Sequence, residues 1–178
     1  LFYGSFNDRR SKILDEMRSR GLRVEAAYGV FGEQLDRLIA RSKVVLNLHF
    51  YDSGQLEIVR IFDLLANRRA VVSEVNSGEL VDADLASAFV AATYENLVDV
   101  TEALVNDPDR RQKVAAAGFD AFSQRRAKKI LPEALAWSDL PRLPGDMVIG
   151  SGKMYDPNML NIDIGTQWNP DIVADISD

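Results

Sequence analysis

Short apolar runs alternate with amphipathic stretches along the first part of the chain. The clearest unit extends from Val44 to Glu74, where an apolar run of strand length precedes a polar and aromatic loop. Apolar positions then recur at helical spacing from Leu56 to Leu65, and a second apolar run covers 70–73. Two buried parallel strands joined by a crossing helix are the common arrangement of this pattern.

The same alternation predicts the other elements of an α/β fold, a Rossmann-like parallel sheet with helices on both faces. Asn7 or Asp8 is suited to cap the first helix, Gly21 to end it, and Pro108 to begin the last long one. The predicted strands are 1–3, 22–27, 44–48, 70–73 and 88–92, and the predicted helices are 9–20, 32–41, 56–65, 94–105, 108–126 and 127–136.

A segment rich in proline and glycine follows the predicted first domain, 1–136, and ends its alternation of strands and helices. The sequence WSDLPRLPG at 137–145 is typical of a linker. Three short strand-like runs follow within 146–178, and we expect them to be the incomplete start of a second domain. Because the chain begins at Leu1 inside a predicted strand, we interpret it as a fragment of a longer protein.

Composition narrows the classes of partner. The 178 residues carry a net charge of -6, which argues against nucleic acid as a partner. The chain has no cysteine and one histidine, so we expect neither disulfides nor a thiolate or histidine metal site. No apolar run is long enough to span a membrane and no signal peptide is evident, so we expect a cytoplasmic protein. Because the net charge is negative, an anionic substrate would have to be bound by local arginines and helix N-termini.

Candidate binding residues follow the predicted strands, because ligands of open α/β sheets bind at the carboxyl ends of the strands. Gly4 leads into the helix whose first turn carries Arg9, and His49 follows the strand at 44–48. Ser53 and Gly54 precede the next helix. Two questions stay open. Arg9 is either a phosphate ligand or a surface charge, and His49 is either a site residue or a partly buried histidine with satisfied hydrogen bonds.

Three charged residues, Glu57, Arg60 and Asp63, are spaced one helical turn apart. This spacing allows a binding face at the start of the helix, and it equally allows a solvated face with intrahelical ion pairs.

The segment DLLANRRAVV, which begins at Asp63, resembles the nucleotide-sugar-binding signature of GT-B glycosyltransferases. Arg68 and Ala70 replace the usual glycine and proline of that signature. The resemblance implies that Asp63 binds the ribose of a nucleotide-sugar donor, that transfer needs no metal, and that the acceptor's general base lies in another half of the enzyme. Our hypothesis is that Arg60 or Arg9 contacts the diphosphate.

The second domain resembles the opening of a class I methyltransferase that uses S-adenosylmethionine. The resemblance rests on VIGSGK, then LNIDI, then PDIVADI, in that order. It implies that Gly150 and Gly152 face the methionine part of the cofactor, that Asp163 binds its ribose, and that Asp175 lies by the adenine.

Together these resemblances imply a bacterial glycosyltransferase fragment fused to a methyltransferase, with a glycan acceptor and a role in surface glycan synthesis. We expect the fragment alone to be inactive. One alternative is a non-catalytic Rossmann-like nucleotide-binding or interaction module. Another is a flavodoxin fold of the response-regulator type, which requires an acidic cluster after the first strand that Gly4, Ser5 and Phe6 do not provide. A homo-oligomer is also open.

Overall fold

The computed structural model divides the chain into two compact units, Leu1–Arg126 and Ala127–Asp178. It describes residues 1–52, 56–79 and 81–126, together with the strand residues 147–149, 160–163 and 172–173. Within these residues no helix has the length and apolar character needed to cross a membrane.

The first unit is a parallel sheet with helices on both faces, which confirms the predicted α/β fold class. Its strands are β1 (Phe2–Tyr3), β2 (Ala26–Ala27), β3 (Val45–Asn47), β4 (Val71–Glu74) and β5 (Val90–Ala92). Its helices are α1 (Asp8–Ser19), α2 (Gly32–Arg41), α3 (Ile58–Ala66), α4 (Leu97–Asn106) and α5 (Pro108–Gln124), with a short 3₁₀ helix at Ala83–Leu85. The strand order is β2-β1-β3-β4-β5, and every pairing is parallel.

Local sequence explains where the long helices begin. The Asn7 side chain accepts a hydrogen bond from the backbone N–H of Arg10 and caps α1. Asp107 caps α5 in the same way, and Pro108 occupies the first turn, where it removes no helical hydrogen bond. Of the two candidate caps predicted for the first helix, the structure uses Asn7, and the predicted start of the last long helix at Pro108 is confirmed.

Several elements are shorter in the structure than predicted, among them the second strand and the third helix. The strand predicted at 22–27 contains only Ala26–Ala27, since the backbone N–H of Leu22 is used to close the end of α1 on Met17 O. The third helix begins at Ile58, so Glu57 is its N-cap residue and not part of the helix as predicted.

Alternation along the strands separates two apolar cores, one on each face of the sheet. Leu46 and Val72 pack on one face against α1 and α4, whereas Val45 and Val71 pack on the other face against α2, α3 and α5. The chain therefore crosses from one face to the other between α1 and α2.

This strand order is that of flavodoxin-type doubly wound sheets, so it leaves open the alternative of a flavodoxin-like module. The order places β1 beside β3, with the helix after β1 on one face and the helix after β3 on the other. A crevice for a ligand is expected at the carboxyl ends of these two strands.

The second unit contains a parallel three-stranded sheet. Its strands are β6 (Met147–Ile149), β7 (Leu160–Asp163) and β8 (Ile172–Val173), in that spatial order. The three strand-like runs predicted from the sequence are confirmed at these positions. The helix predicted at 127–136 and the linker at 137–145 lie outside the described residues.

Candidate functional site

Arg10 joins the two loops that leave β1 and β3. It lies in the first turn of α1 and is buried, with 3% of its surface exposed. Its guanidinium donates to the carbonyl oxygens of Ser5 (2.9 Å), Leu48 and His49 (3.2 Å), and it contacts the Glu57 carboxylate at 3.2 Å. Burial lowers the pKa of Arg10, and the negative charge of Glu57 acts in the opposite direction.

Arg9 forms a bidentate ion pair with Glu74, the last residue of β4 and a fully buried side chain. The Arg9 Nε atom also donates to Asp52 at 2.6 Å, and its guanidinium lies 4.0 Å from the centre of the Tyr94 ring. The hydrogen bond with Glu74 raises the pKa of Arg9, so this cation stays charged. Glu74 in turn accepts the backbone N–H of His49 at 3.0 Å.

His49 is buried between two carboxylates. Its Nδ1 atom lies 4.0 Å from Glu74 Oε1, and its Nε2 atom lies 3.7 Å from Glu79 Oε1. Both distances exceed hydrogen-bond length, and neither ring nitrogen has a hydrogen-bond partner among the described residues. Among the described residues the ring nitrogens of His49 are therefore not satisfied, and its role as a site residue stays a prediction.

Arg60 approaches the turn after β1 from the opposite side. A Cβ atom on Gly4, whose φ is +137°, would lie 3.4 Å from Arg60 Nη2 and 3.8 Å from Arg10 Nη1. Arg60 also contacts Glu57 at 2.8 Å and Asn47 Oδ1 at 3.3 Å, and it lies over the Tyr3 ring. Both distances are ordinary contacts, so it is the positive φ and not a lack of space that favours glycine at this turn, where two guanidinium groups come close to one point of the sheet edge.

Arg60 and Arg9 differ in how many of their N–H donors are already used. A guanidinium carries five N–H donors. Arg60 uses two of them on Asn47 and Glu57, whereas Arg9 uses four on Asp52, His49 O and both oxygens of Glu74. Within the described residues, Arg60 is therefore the better-equipped of the two to hold an additional anion.

The structure brings five of the predicted site residues to the carboxyl edge of the sheet: Gly4, Arg9, His49, Glu57 and Arg60. Asp63 does not join them. Its side chain is exposed on α3 and accepts from Asn67 Nδ2 at 3.3 Å, and its charge is close enough to raise the pKa of Tyr3. Burial is the larger cause of that Tyr3 shift.

The remaining predicted residues have no described side chain. Asp163 is the last residue of β7, the position expected for the ribose ligand of the methyltransferase pattern. Ser53, Gly54, Gly150, Gly152 and Asp175 lie outside the described residues.

Sequence reasoning missed two residues of this site: Glu74, the acid that holds Arg9, and the buried Arg10. Glu74 follows Ser73 at the end of an apolar strand, and this position at the sheet edge was the available signal. Arg10 gives no such signal, because its burial depends on two loops that are distant in sequence. Tyr94 and Asn47, which contact Arg9 and Arg60, were missed for the same reason.

No family model matches the chain. A protein of Acanthamoeba polyphaga mimivirus, called "Uncharacterized protein L138", is 34% identical to it over 100 residues. The match covers 54% of this chain and 11% of the viral protein, so the chain spans a small part of the relative's length. The relative's name carries no statement of activity.

Proposed function

We propose that the first unit is the nucleotide-sugar-binding half of a GT-B-like glycosyltransferase, acting in the cytoplasm on a surface glycan. The observation that carries this proposal is the convergence of Arg60 and Arg10 on Gly4, at the carboxyl ends of β1 and β3. This is the place where doubly wound sheets bind nucleotides.

Glycosyl transfer requires positive charge close to the diphosphate of the donor. Cleavage of the donor leaves a nucleoside diphosphate, and guanidinium groups stabilise the charge that develops on it. Arg60 retains N–H donors for this role, while Arg10 and Glu57 fix its position. Arg9 is held by Glu74 and Asp52, so of the two arginines in our hypothesis we assign the diphosphate to Arg60.

Asp63 is the proposed ribose ligand. Its exposed carboxylate lies one helical turn beyond Arg60 on α3, and the charges of both residues act on Tyr3. A carboxylate accepts hydrogen bonds from both hydroxyls of a ribose.

For the second unit we propose the opening strands of a methyltransferase domain that binds S-adenosylmethionine. Parallel neighbours in chain order, β6-β7-β8, are what the first half of a Rossmann-type sheet requires, and Asp163 stands at the end of the middle strand. The support for this proposal is the order of the strands and the position of Asp163 along the backbone.

Calorimetric titration of the chain with UDP, GDP, their sugars and S-adenosylmethionine tests the proposal. We expect a nucleoside diphosphate to bind, and Arg60→Gln to weaken that binding about 10- to 100-fold through loss of a charged hydrogen bond. Asp63→Ala should weaken it too without lowering the melting temperature, since the side chain is exposed.

Arg37→Gln is the matched control, because it makes the same chemical change at an exposed arginine of α2 that pairs with Glu33. Its affinity should equal that of the unchanged chain. If the chain binds none of the nucleotides, the result favours the non-catalytic module instead. If Arg60→Gln binds the nucleotide with unchanged affinity, Arg60 is not part of the site.

A further inference from the structure

A groove of about 460 Å³ lies on the α1 side of the sheet edge, apart from the Gly4–Arg60 contact. We call it the α1 groove. It is lined by Asn7, Asp8, Arg9, Lys12, Phe50, Tyr51, Asp52 and Tyr94. Its volume falls within the range of about 300–1,000 Å³ that small-molecule sites occupy.

The charges of the α1 groove balance. Asp8 and Asp52 oppose Arg9 and Lys12, and Arg9 is already paired with Asp52 and Glu74. The N-terminus of α1 is also occupied, since Asn7 caps it. A phosphate would therefore meet the exposed carboxylates of Asp8 and Asp52 and one cation, Lys12, that has no ion pair with the described residues, which makes this groove a poor anion site.

Three aromatic rings form the apolar part of the α1 groove. Tyr51 leaves 70% of its surface exposed, and its ring meets Phe50 edge-to-face at 4.8 Å between centroids. Tyr94 is fixed by a hydrogen bond from its hydroxyl to Arg9 O at 3.0 Å, with the Arg9 guanidinium against one face of its ring. The groove thus offers flat apolar surface beside carboxylates and an amide.

We infer that the α1 groove binds a neutral saccharide. A pyranose ring has an apolar C–H face that packs on aromatic rings, and its hydroxyls donate to carboxylates such as Asp8 and Asp52. A neutral sugar also suits a groove whose acidic and basic side chains are equal in number. The inference rests on the groove alone. If the proposed function also holds, acceptor glycan and nucleotide-sugar meet at the same edge of the sheet.

Two-dimensional NMR of the ¹⁵N-labelled chain tests the inference with glucose, galactose, mannose and N-acetylglucosamine at millimolar concentration. At least one sugar should shift the backbone amides of residues 7–12, 50–52 and 94. Tyr51→Ala should weaken that sugar about tenfold by removing a stacking surface.

Tyr28→Ala is the matched control, because Tyr28 is exposed to 69%, almost as much as Tyr51, and does not line the α1 groove. The inference is overturned if no sugar shifts these amides, if Tyr28→Ala weakens the sugar as much as Tyr51→Ala, or if UDP shifts them in place of sugar. Arg60→Gln separates the two proposals, since it should weaken nucleotide binding and leave sugar binding unchanged.

Discussion

At the scale of single residues, a buried ion pair between Arg9 and Glu74 stabilises the carboxyl edge of the sheet. Glu74 is fully buried, and two Arg9 nitrogens and the His49 backbone N–H satisfy its carboxylate. Removing one partner of a buried ion pair leaves the other charge uncompensated. We expect Glu74→Gln to lower the free energy of unfolding by about 3 kcal/mol, measured by urea denaturation.

Glu33→Gln provides the comparison, because it makes the same change in a solvent-exposed pair with Arg37. Exposed pairs of this spacing contribute about 0.5 kcal/mol or less. A loss in Glu74→Gln as small as that in Glu33→Gln would contradict the assignment of Glu74 as a desolvated anchor of Arg9.

At the scale of elements, the end of α3 explains one departure from the glycosyltransferase pattern. Arg68 stands where that pattern has glycine, and its φ of +52° lies in the left-handed region. The N–H groups of Arg68 and Arg69 bond to Leu65 O and Leu64 O, the arrangement of a Schellman cap. Arg68 also lies 4.0 Å from the centre of the Phe119 ring, a contact that offsets part of the strain.

The packing of α5 against α3 and the segment before β5 depends on one glycine within the helix. A Cβ on Gly118 would lie 2.5 Å from Ala88 O and 2.6 Å from Leu65 Cδ2. Since the first of these atoms belongs to the backbone, α5 must shift to accept alanine. We expect Gly118→Ala to lower the free energy of unfolding by about 1–3 kcal/mol despite the better helix propensity of alanine, measured by thermal denaturation.

Ala116→Ser tests whether an added atom elsewhere on α5 has the same effect. Ala116 is exposed, so its substitution should change stability by no more than about 0.5 kcal/mol. Equal melting temperatures for Gly118→Ala and the unchanged chain would show that α5 does not pack this closely on Ala88.

At the scale of the whole molecule, the fold follows from local patterns, and much of the site does not. Continuous apolar runs of strand length located β3 and β4, and the signals at Asn7 and Pro108 located the starts of α1 and α5. The buried positions of Arg10 and Glu74 arise only when strands distant in sequence become neighbours. Periodicity reports the burial of apolar side chains, so it is silent about charged side chains that are buried as pairs.

The two apolar cores suggest which part of the chain folds by itself. All their described members lie between Leu1 and Phe122, within the compact unit Leu1–Arg126. About 126 residues with a core on each face of a sheet is an ordinary size for an independent domain. Deletion of 127–178 should therefore change the free energy of unfolding of the first unit by less than about 1 kcal/mol, or about 4 °C in melting temperature.

Circular dichroism of the shortened chain checks this prediction through its cooperative thermal transition. UDP binding should persist after the deletion, because Gly4, Arg60 and Asp63 of the proposed nucleotide site all lie in the first unit. A shortened chain that melts without a cooperative transition would mean that 127–178 completes the first core. Loss of UDP binding from a well-folded shortened chain would instead assign part of the nucleotide site to the second unit.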